Sequence, residues 1–112
     1  MTLHARKLLA AALLAAAPAA QSGELTIYAG AEADNIKFFS ETFSKSHPNI
    51  KLNWVRDSTG IIHARVLAEK ANPRADVLFA MAATSMINLA QMGLLHPYAP
   101  KDMDKLNPLY LE

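Results

Sequence analysis

Three short apolar segments alternate with three longer amphipathic segments after residue 22, and this alternation restricts the fold more than any other feature. The short segments are rich in β-branched or aromatic residues, which is typical of strands, whereas the longer ones have helical spacing and helix-end signals. The predicted strands are residues 24–30, 49–57 and 75–82, and the predicted helices are residues 32–48, 58–73 and 83–95. Strand–helix–strand units at this spacing predict right-handed crossovers, and therefore an α/β fold with a parallel three-stranded sheet in βαβαβα order.

Local signals at the helix ends support these boundaries. The second predicted helix opens on Ser58 and Thr59, which are common N-cap residues. The third opens near Thr84 and ends at Gly93, which we expect to close the helix in a left-handed conformation. One further helical turn is expected at residues 102–106.

Residues 1–22 have the three-part layout of a secretory signal peptide. A basic start precedes an apolar run from Leu8 to Ala17, which is shorter than the roughly 20 residues that span a bilayer. Small residues follow, and cleavage is expected near residues 19–22. The layout predicts export, and the alternatives are an alanine-rich amphipathic helix and a retained anchor.

The charge balance of residues 23–112 argues against a nucleic-acid or membrane-surface partner. This part carries nine Lys or Arg and ten Asp or Glu, a formal net charge of −1. It offers no basic patch of the kind that binds nucleic acids. The chain contains no cysteine, so disulfides and thiolate metal sites are excluded.

Each predicted strand runs into its helix through small or hydroxyl residues. The three joints read "YAGAEAD", "RDSTGI" and "MAATSM". In an open parallel sheet such joints lie at the carboxyl ends of the strands, where ligands bind. Helix N-termini there present free N–H groups and a partial positive charge that favour anions. The joints therefore predict an oxyanion site, and the alternative is that each hydroxyl only caps its helix.

Three side chains at the first joint have open roles. Tyr28 ends the first strand and can face either the core or the cleft beside the joints. Glu32 and Asp34 are acidic residues of a first helical turn, where they stabilise the helix start. Either carboxylate could also meet a cationic group of a ligand.

The sequence lacks the fingerprints of catalysis and of cofactor binding. It contains no G-x-G-x-x-G, no G-x-x-x-x-G-K-[ST] and no G-x-S-x-G pattern. His47, His63 and His96 have no partner at metal-ligand spacing. We therefore expect no catalytic residue, no metal and no cofactor. An exported α/β hydrolase or transferase is the remote alternative, because a fold alone does not fix function.

The stretches "LTIYAGAEADNIKFFSETFSKSHPNIKLNWVRDSTGI" and "LAEKANPRADVLFAMAATSMINLAQMGLLHPYAP" resemble the start of periplasmic substrate-binding proteins of ABC importers. The likeness covers residues 25 to about 106 and points to the group that binds ferric iron, thiamine and 2-aminoethylphosphonate. Within it, "RDSTGI", "LAEKANPRADV" and "AATS" are most similar to the 2-aminoethylphosphonate binders. The resemblance implies a type 2-like fold with two lobes. It implies that residues 1–22 are a signal peptide and residues 23–112 a partial N-terminal lobe, that is, a fragment.

The resemblance implies a periplasmic binding function without catalysis. Such a protein captures a small anionic or zwitterionic solute, here 2-aminoethylphosphonate, and delivers it to an ABC permease in the inner membrane. The full-length protein is expected to be a monomer with no nucleic-acid partner. Ferric iron is the alternative solute. Iron binders of this family carry a Glu after the third strand, where this chain has Ala80, Met81 and Ala82.

The resemblance also implies which residues contact the solute. The loops that match Ser58-Thr59-Gly60 and Ala83-Thr84-Ser85 are expected to donate hydrogen bonds to a phosphonate. The expected ligand-binding residues are Tyr28, Ala31, Glu32, Ser58, Thr59, Gly60, Ala83, Thr84 and Ser85.

Overall fold

The structure is a computed structural model that describes residues 22–110, so all but the last residue of the predicted signal peptide lies outside the described residues. The main elements are β1 (Gly23–Ala29), α1 (Ala33–Ser46), β2 (Ile50–Arg56), α2 (Thr59–Ala68), β3 (Val77–Phe79) and α3 (Ala83–Gln91). Two short 3₁₀ turns follow at Met103–Lys105 and Pro108–Tyr110. The predicted βαβαβα order is confirmed. No helix in the described range is long and apolar enough to cross a membrane.

The sheet is parallel, with strand order β2-β1-β3. Central β1 places Ile27 opposite both Trp54 and Val77. The last three residues of β1, Ile27 to Ala29, are all buried. An unbroken buried run is expected where helices cover both faces of a parallel sheet.

An aromatic cluster joins α1 to one face of the sheet. The Phe79 ring lies edge-on to Phe39 of α1, with centroids 5.0 Å apart, and to Trp54 of β2 at 5.7 Å. Such edge-to-face pairs stabilise packing beyond the area they bury. Phe79 and Trp54 are both half-buried in this cluster.

Helices α2 and α3 cover the other face. Ile62 of α2 and Leu89 of α3 are fully buried, and Tyr28 of β1 points towards α2. With α1 on one face and α2 on the other, the two crossovers leave β1 and β2 in opposite directions along the sheet. This is the arrangement that right-handed connections require for the order β2-β1-β3.

Strand β3 is shorter than the predicted residues 75–82. Its C-terminal end is set by Ala80, whose φ of 52° turns the chain into the left-handed region that residues other than glycine seldom adopt. Before β3, the Thr26 N–H donates to the Asp76 carboxylate at 2.8 Å, and the Asp76 N–H donates to the Thr26 carbonyl at 2.9 Å. The Asp76 carboxylate therefore replaces a backbone carbonyl as acceptor of one bond between β1 and the residues before β3. For this reason the strand begins at Val77, later than the sequence pattern predicts.

The predicted end of α3 is confirmed. Gly93 has a φ of 71°, in the left-handed region. The Gly93 N–H donates to the Ala90 carbonyl at 2.9 Å, and the Leu94 N–H donates to the Leu89 carbonyl at 3.0 Å. These two bonds form a Schellman motif, which satisfies carbonyl groups that the helix end would otherwise leave unpaired.

Candidate functional site

The three strand–helix joints meet at the carboxyl edge of the sheet. The Ala82 N–H donates to Thr59 Oγ1 at 3.4 Å, which links the start of α2 to the start of α3. At Gly30 a Cβ atom would lie 3.0 Å from Thr59 Oγ1 and 2.9 Å from the Ala80 carbonyl oxygen. Any larger residue at position 30 would therefore push the first joint away from the other two.

The start of α2 combines a side-chain cap with open backbone groups. Ser58 is the N-cap residue, and its Oγ accepts from the Ile61 N–H at 3.4 Å. The Asp57 carboxylate accepts from the Ser58 N–H at 2.7 Å. The N–H groups of Thr59 and Gly60 belong to the first turn, where the helix itself supplies no acceptor. Gly60 is exposed and has open space around its Cα, so a ligand oxygen can approach this turn.

The start of α3 carries hydroxyls that do not cap it. Ala82 is the N-cap residue, and its side chain has no oxygen to accept a bond. Ala83 and Thr84 are exposed and Ser85 is half-buried. The Ser85 N–H donates back to the Ala82 carbonyl at 3.0 Å, so this turn offers the backbone N–H groups of Ala83 and Thr84 instead.

Arg56, a residue that the sequence analysis did not select, lies beside the first two joints. Its Nε donates to the Ala31 carbonyl at 2.7 Å, and its Nη2 donates to Glu32 Oε2 at 3.0 Å. These residues belong to an open cleft of about 420 Å³, lined by Gly30, Ala31, Glu32, Arg56, Asp57 and Ser58. A basic residue as the last residue of a strand, at the edge where ligands bind, was the signal that could have found it.

The cleft holds charges of both signs. The Arg56 guanidinium adds a full positive charge near the N-terminus of α2, which already favours anions. Glu32 and Asp57 add two carboxylates to the same cleft. A ligand that carries both an anionic and a cationic group therefore finds an opposite charge for each.

Tyr28 lies outside this cleft, and of the two orientations that the sequence left open, the structure shows the one in the core. Tyr28 is 2% exposed, and its hydroxyl donates to Glu69 Oε2 at 2.8 Å. Arg65 lies over the ring at 5.2 Å and donates to Glu69 Oε1 at 3.1 Å. Burial, followed by the adjacent carboxylate of Glu69, raises the pKa of Tyr28. Glu69 follows the last residue of α2, so the hydroxyl is held at the opposite end of that helix from Ser58.

The remaining predicted residues differ in what they offer. Ala31 is buried and contributes its carbonyl, which accepts from Arg56, whereas the Glu32 side chain is 83% exposed.

A larger, mainly apolar groove of about 630 Å³ lies elsewhere, between α2, β3 and α3, and none of the predicted site residues lines it. Across residues 22–110, no group of three His, Cys, Asp or Glu side chains could hold a metal ion.

Comparisons with known proteins give the family context. No protein-family model matches the chain. The chain is 35% identical over 91 residues to the "Probable ABC transporter periplasmic-binding protein y4fP" of Sinorhizobium fredii, and 32% identical over 99 residues to an uncharacterized protein of Haemophilus influenzae. These matches cover 81% and 88% of the chain, but 25% and 28% of the two relatives.

Three solved structures share the fold. The periplasmic binding protein P5PA matches with a TM-score of 0.72 at 24% identity, over 79% of this chain and 28% of that one. The periplasmic binding protein AfuA from Actinobacillus pleuropneumoniae, with fructose-6-phosphate bound, matches at 0.72 and 28% identity, over 79% and 27%. Iron-bound HitA from Pseudomonas aeruginosa matches at 0.68 and 26%, over 77% and 28%. This chain is a relative of the periplasmic binding proteins. It spans about a quarter of the length of the relatives that it matches.

Proposed function

We propose that the protein to which this chain corresponds is the periplasmic solute-binding component of an ABC importer, which captures a small anionic or zwitterionic solute and delivers it to a permease. The observation that carries this proposal is the convergence of the α2 and α3 N-termini beside Arg56 at one edge of the sheet. The full-length protein acts as a monomer and performs no catalysis. Its first candidate solute is 2-aminoethylphosphonate.

In this proposal the phosphonate binds at the start of α2. The Thr59 hydroxyl, whose oxygen accepts from the Ala82 N–H and whose proton can donate to a ligand, joins the N–H groups of Thr59 and Gly60 and the Arg56 guanidinium as donors suited to an oxyanion. The first turn of α3 adds its backbone N–H groups and the hydroxyls of Thr84 and Ser85. AfuA, a relative with a bound sugar phosphate, supports the assignment of a phosphoryl-type group to this fold.

Ferric iron is the second candidate, and iron-bound HitA is the observation that favours it. Hard cations prefer oxygen ligands such as carboxylates. Glu32 could supply one at the first joint. At the third joint, Ala80, Met81 and Ala82 carry no side-chain oxygen, and this favours the oxyanion solute over iron.

Calorimetric titration of the full-length protein tests the solute. The protein is isolated from a periplasmic extract, and sequencing of its N-terminus checks the expected cleavage near residues 19–22. 2-Aminoethylphosphonate, inorganic phosphate and ferric citrate are titrated into the wild type and into Ser58→Ala, Thr59→Ala, Thr84→Ala and Ser85→Ala. Loss of a hydrogen bond to a charged ligand costs roughly 1.5–3 kcal/mol, so we expect a ten- to hundredfold weaker Kd for Thr59→Ala and for at least one of Thr84→Ala and Ser85→Ala.

Ser58→Ala provides the internal reference because the Ser58 hydroxyl already caps α2. Loss of a cap costs about 1 kcal/mol of stability and leaves affinity nearly unchanged. Tight binding of ferric citrate without binding of either phosphorus compound would favour iron. If all four variants bind as tightly as the wild type and differ only in Tm, the assignment of the solute to these two joints is wrong.

A further inference from the structure

We propose that the ion pair between Glu32 and Arg56 makes the cleft selective for zwitterions over simple anions. This inference rests on the proposed function, because it concerns the same cleft and its solute. The pair joins the last residue of β2 to the residue that precedes α1, with Arg56 Nη2 and Glu32 Oε2 3.0 Å apart.

The two partners are held very differently. Arg56 is fixed by a second bond, in which its Nε donates to the Ala31 carbonyl at 2.7 Å. Glu32 is the N-cap residue of α1, but its side chain makes no capping bond and is 83% exposed. The guanidinium is therefore a fixed cation, whereas the exposed Glu32 carboxylate is held only by its bond to Arg56 and can move.

Arg56 can accommodate a ligand without leaving its backbone anchor. A guanidinium has five N–H donors, and Ala31 and Glu32 each accept from one of them. An exposed ion pair of this kind contributes little, roughly 0–1 kcal/mol, so a ligand can rearrange it at small cost. The charges then decide which ligand gains from the rearrangement.

A simple anion and a zwitterion meet this pair with opposite results. An anion on Arg56 competes with Glu32 for the guanidinium and places two negative groups beside one cation. A zwitterion places its anionic group on Arg56 and its ammonium group against Glu32, so each charge keeps an opposite neighbour. Asp57, the other carboxylate of the cleft, accepts from the Ser58 N–H and is less available to the ammonium.

The test compares 2-aminoethylphosphonate with ethylphosphonate, which lacks only the amine. Calorimetry on the full-length protein gives the ratio of their Kd values for the wild type, Glu32→Gln, Glu41→Gln and Arg56→Gln. Because each ratio is measured on one variant, a change in overall stability does not affect it. Glu41→Gln is the matched control, since Glu41 is an exposed carboxylate on α1 that does not line the cleft.

We expect the wild type to prefer the amine-bearing compound and Glu32→Gln to reduce that preference roughly three- to tenfold, with Glu41→Gln unchanged. Arg56→Gln should weaken both compounds. An unchanged preference in Glu32→Gln, with both phosphonates still bound, overturns the ion-pair proposal and leaves the proposed function intact.

A second pair of compounds, taurine and ethanesulfonate, distinguishes failure of the phosphonate assignment from failure of the ion-pair proposal. If the wild type binds neither phosphonate but prefers taurine, and Glu32→Gln reduces that preference, the phosphonate assignment is wrong and the ion-pair proposal holds. If the wild type binds neither zwitterion, the ion-pair proposal is overturned, and the titrations of inorganic phosphate and ferric citrate decide whether the proposed function holds.

Discussion

The Tyr28 hydroxyl donates to both oxygens of Glu69, at 2.8 and 3.1 Å, and Glu69 also accepts from Arg65. The hydroxyl, and after it Arg65, lowers the pKa of Glu69 below its ordinary value. Because Tyr28 belongs to β1 and Glu69 follows the last residue of α2, this network ties the helix to the central strand. The helix so fixed is the one whose first turn forms part of the candidate site.

At this scale we predict that Tyr28→Phe lowers the free energy of unfolding of the full-length protein by roughly 1 kcal/mol at neutral pH, since a hydrogen bond to a buried ring is lost. A lowered folded-state pKa means that Glu69 stabilises the fold above the usual carboxyl range and stops doing so as the pH falls through that pKa. The variant should therefore lose less stability than the wild type between neutral and acidic pH.

Chemical denaturation at a series of pH values measures this difference. Tyr98→Phe is the control, because the Tyr98 ring is 81% exposed, and its curve should follow the wild type. Parallel pH curves for Tyr28→Phe and the wild type would show that Tyr28 does not set the pKa of Glu69.

At the scale of the elements, the ends of the helices decide what the sheet edge presents. Helix α2 begins with a hydroxyl cap, whereas α3 begins at Ala82 without one. Helix α3 in turn ends in the Schellman motif at Gly93, after which the chain turns back at Leu94. The N-terminal ends are thus available to a ligand while the far end of α3 is closed by its own backbone.

Two glycines, one in the first turn of α2 and one just after the end of α3, give a matched prediction. Gly93→Ala should destabilise the full-length protein by about 1 kcal/mol, because a φ of 71° is strained for a residue with a Cβ. Gly60→Ala should cost nothing, since Gly60 lies in the first turn of α2 with open space where the Cβ would be. Denaturant unfolding compares the two variants, and an equal loss for both would contradict the role assigned to the left-handed cap.

At the scale of the molecule, the sheet has exposed borders. Strand β3 pairs with β1 on one side only within the described chain, and Val77 on β3 is 39% exposed. Phe79 of the same strand is partly covered by Phe39 and Trp54. An unpaired strand with apolar side chains is a template for pairing with other chains.

We therefore predict that residues 23–112, produced alone, aggregate or unfold without a sharp thermal transition. Val77→Lys should raise the soluble fraction, because a charge on an edge strand opposes pairing. Thr42→Lys adds the same charge on the exposed surface of α1 and should have a smaller effect. Size-exclusion chromatography and thermal scans check this, and a soluble monomer of the unaltered piece with a two-state transition would refute it.

Local pattern by itself determined the order of elements, their parallel pairing and several of their ends. Apolar spacing distinguished strands from helices over a few residues, and Gly93 and Ser58 carry their own conformational signals. These features depend on residues close in the chain, so they could be predicted without knowing what packs where. The joints were found for the same reason, because the chemistry of helix starts is local.

Only the tertiary structure decided which side chains belong to the cleft. Tyr28 is paired with Glu69, 41 positions away, and this pairing selects the core orientation from the two that the sequence left open. Arg56 is held in the cleft by its bond to the Ala31 carbonyl, 25 positions away in the sequence. Thr59 accepts a hydrogen bond from Ala82, which is 23 positions away. A two-residue period places a side chain on one face of a strand, but it does not tell which helix covers that face or which partner a charge will find. Those outcomes depend on how separate segments pack, and so the sequence could indicate the edge of the sheet that carries the candidate site but not the full set of residues that line it.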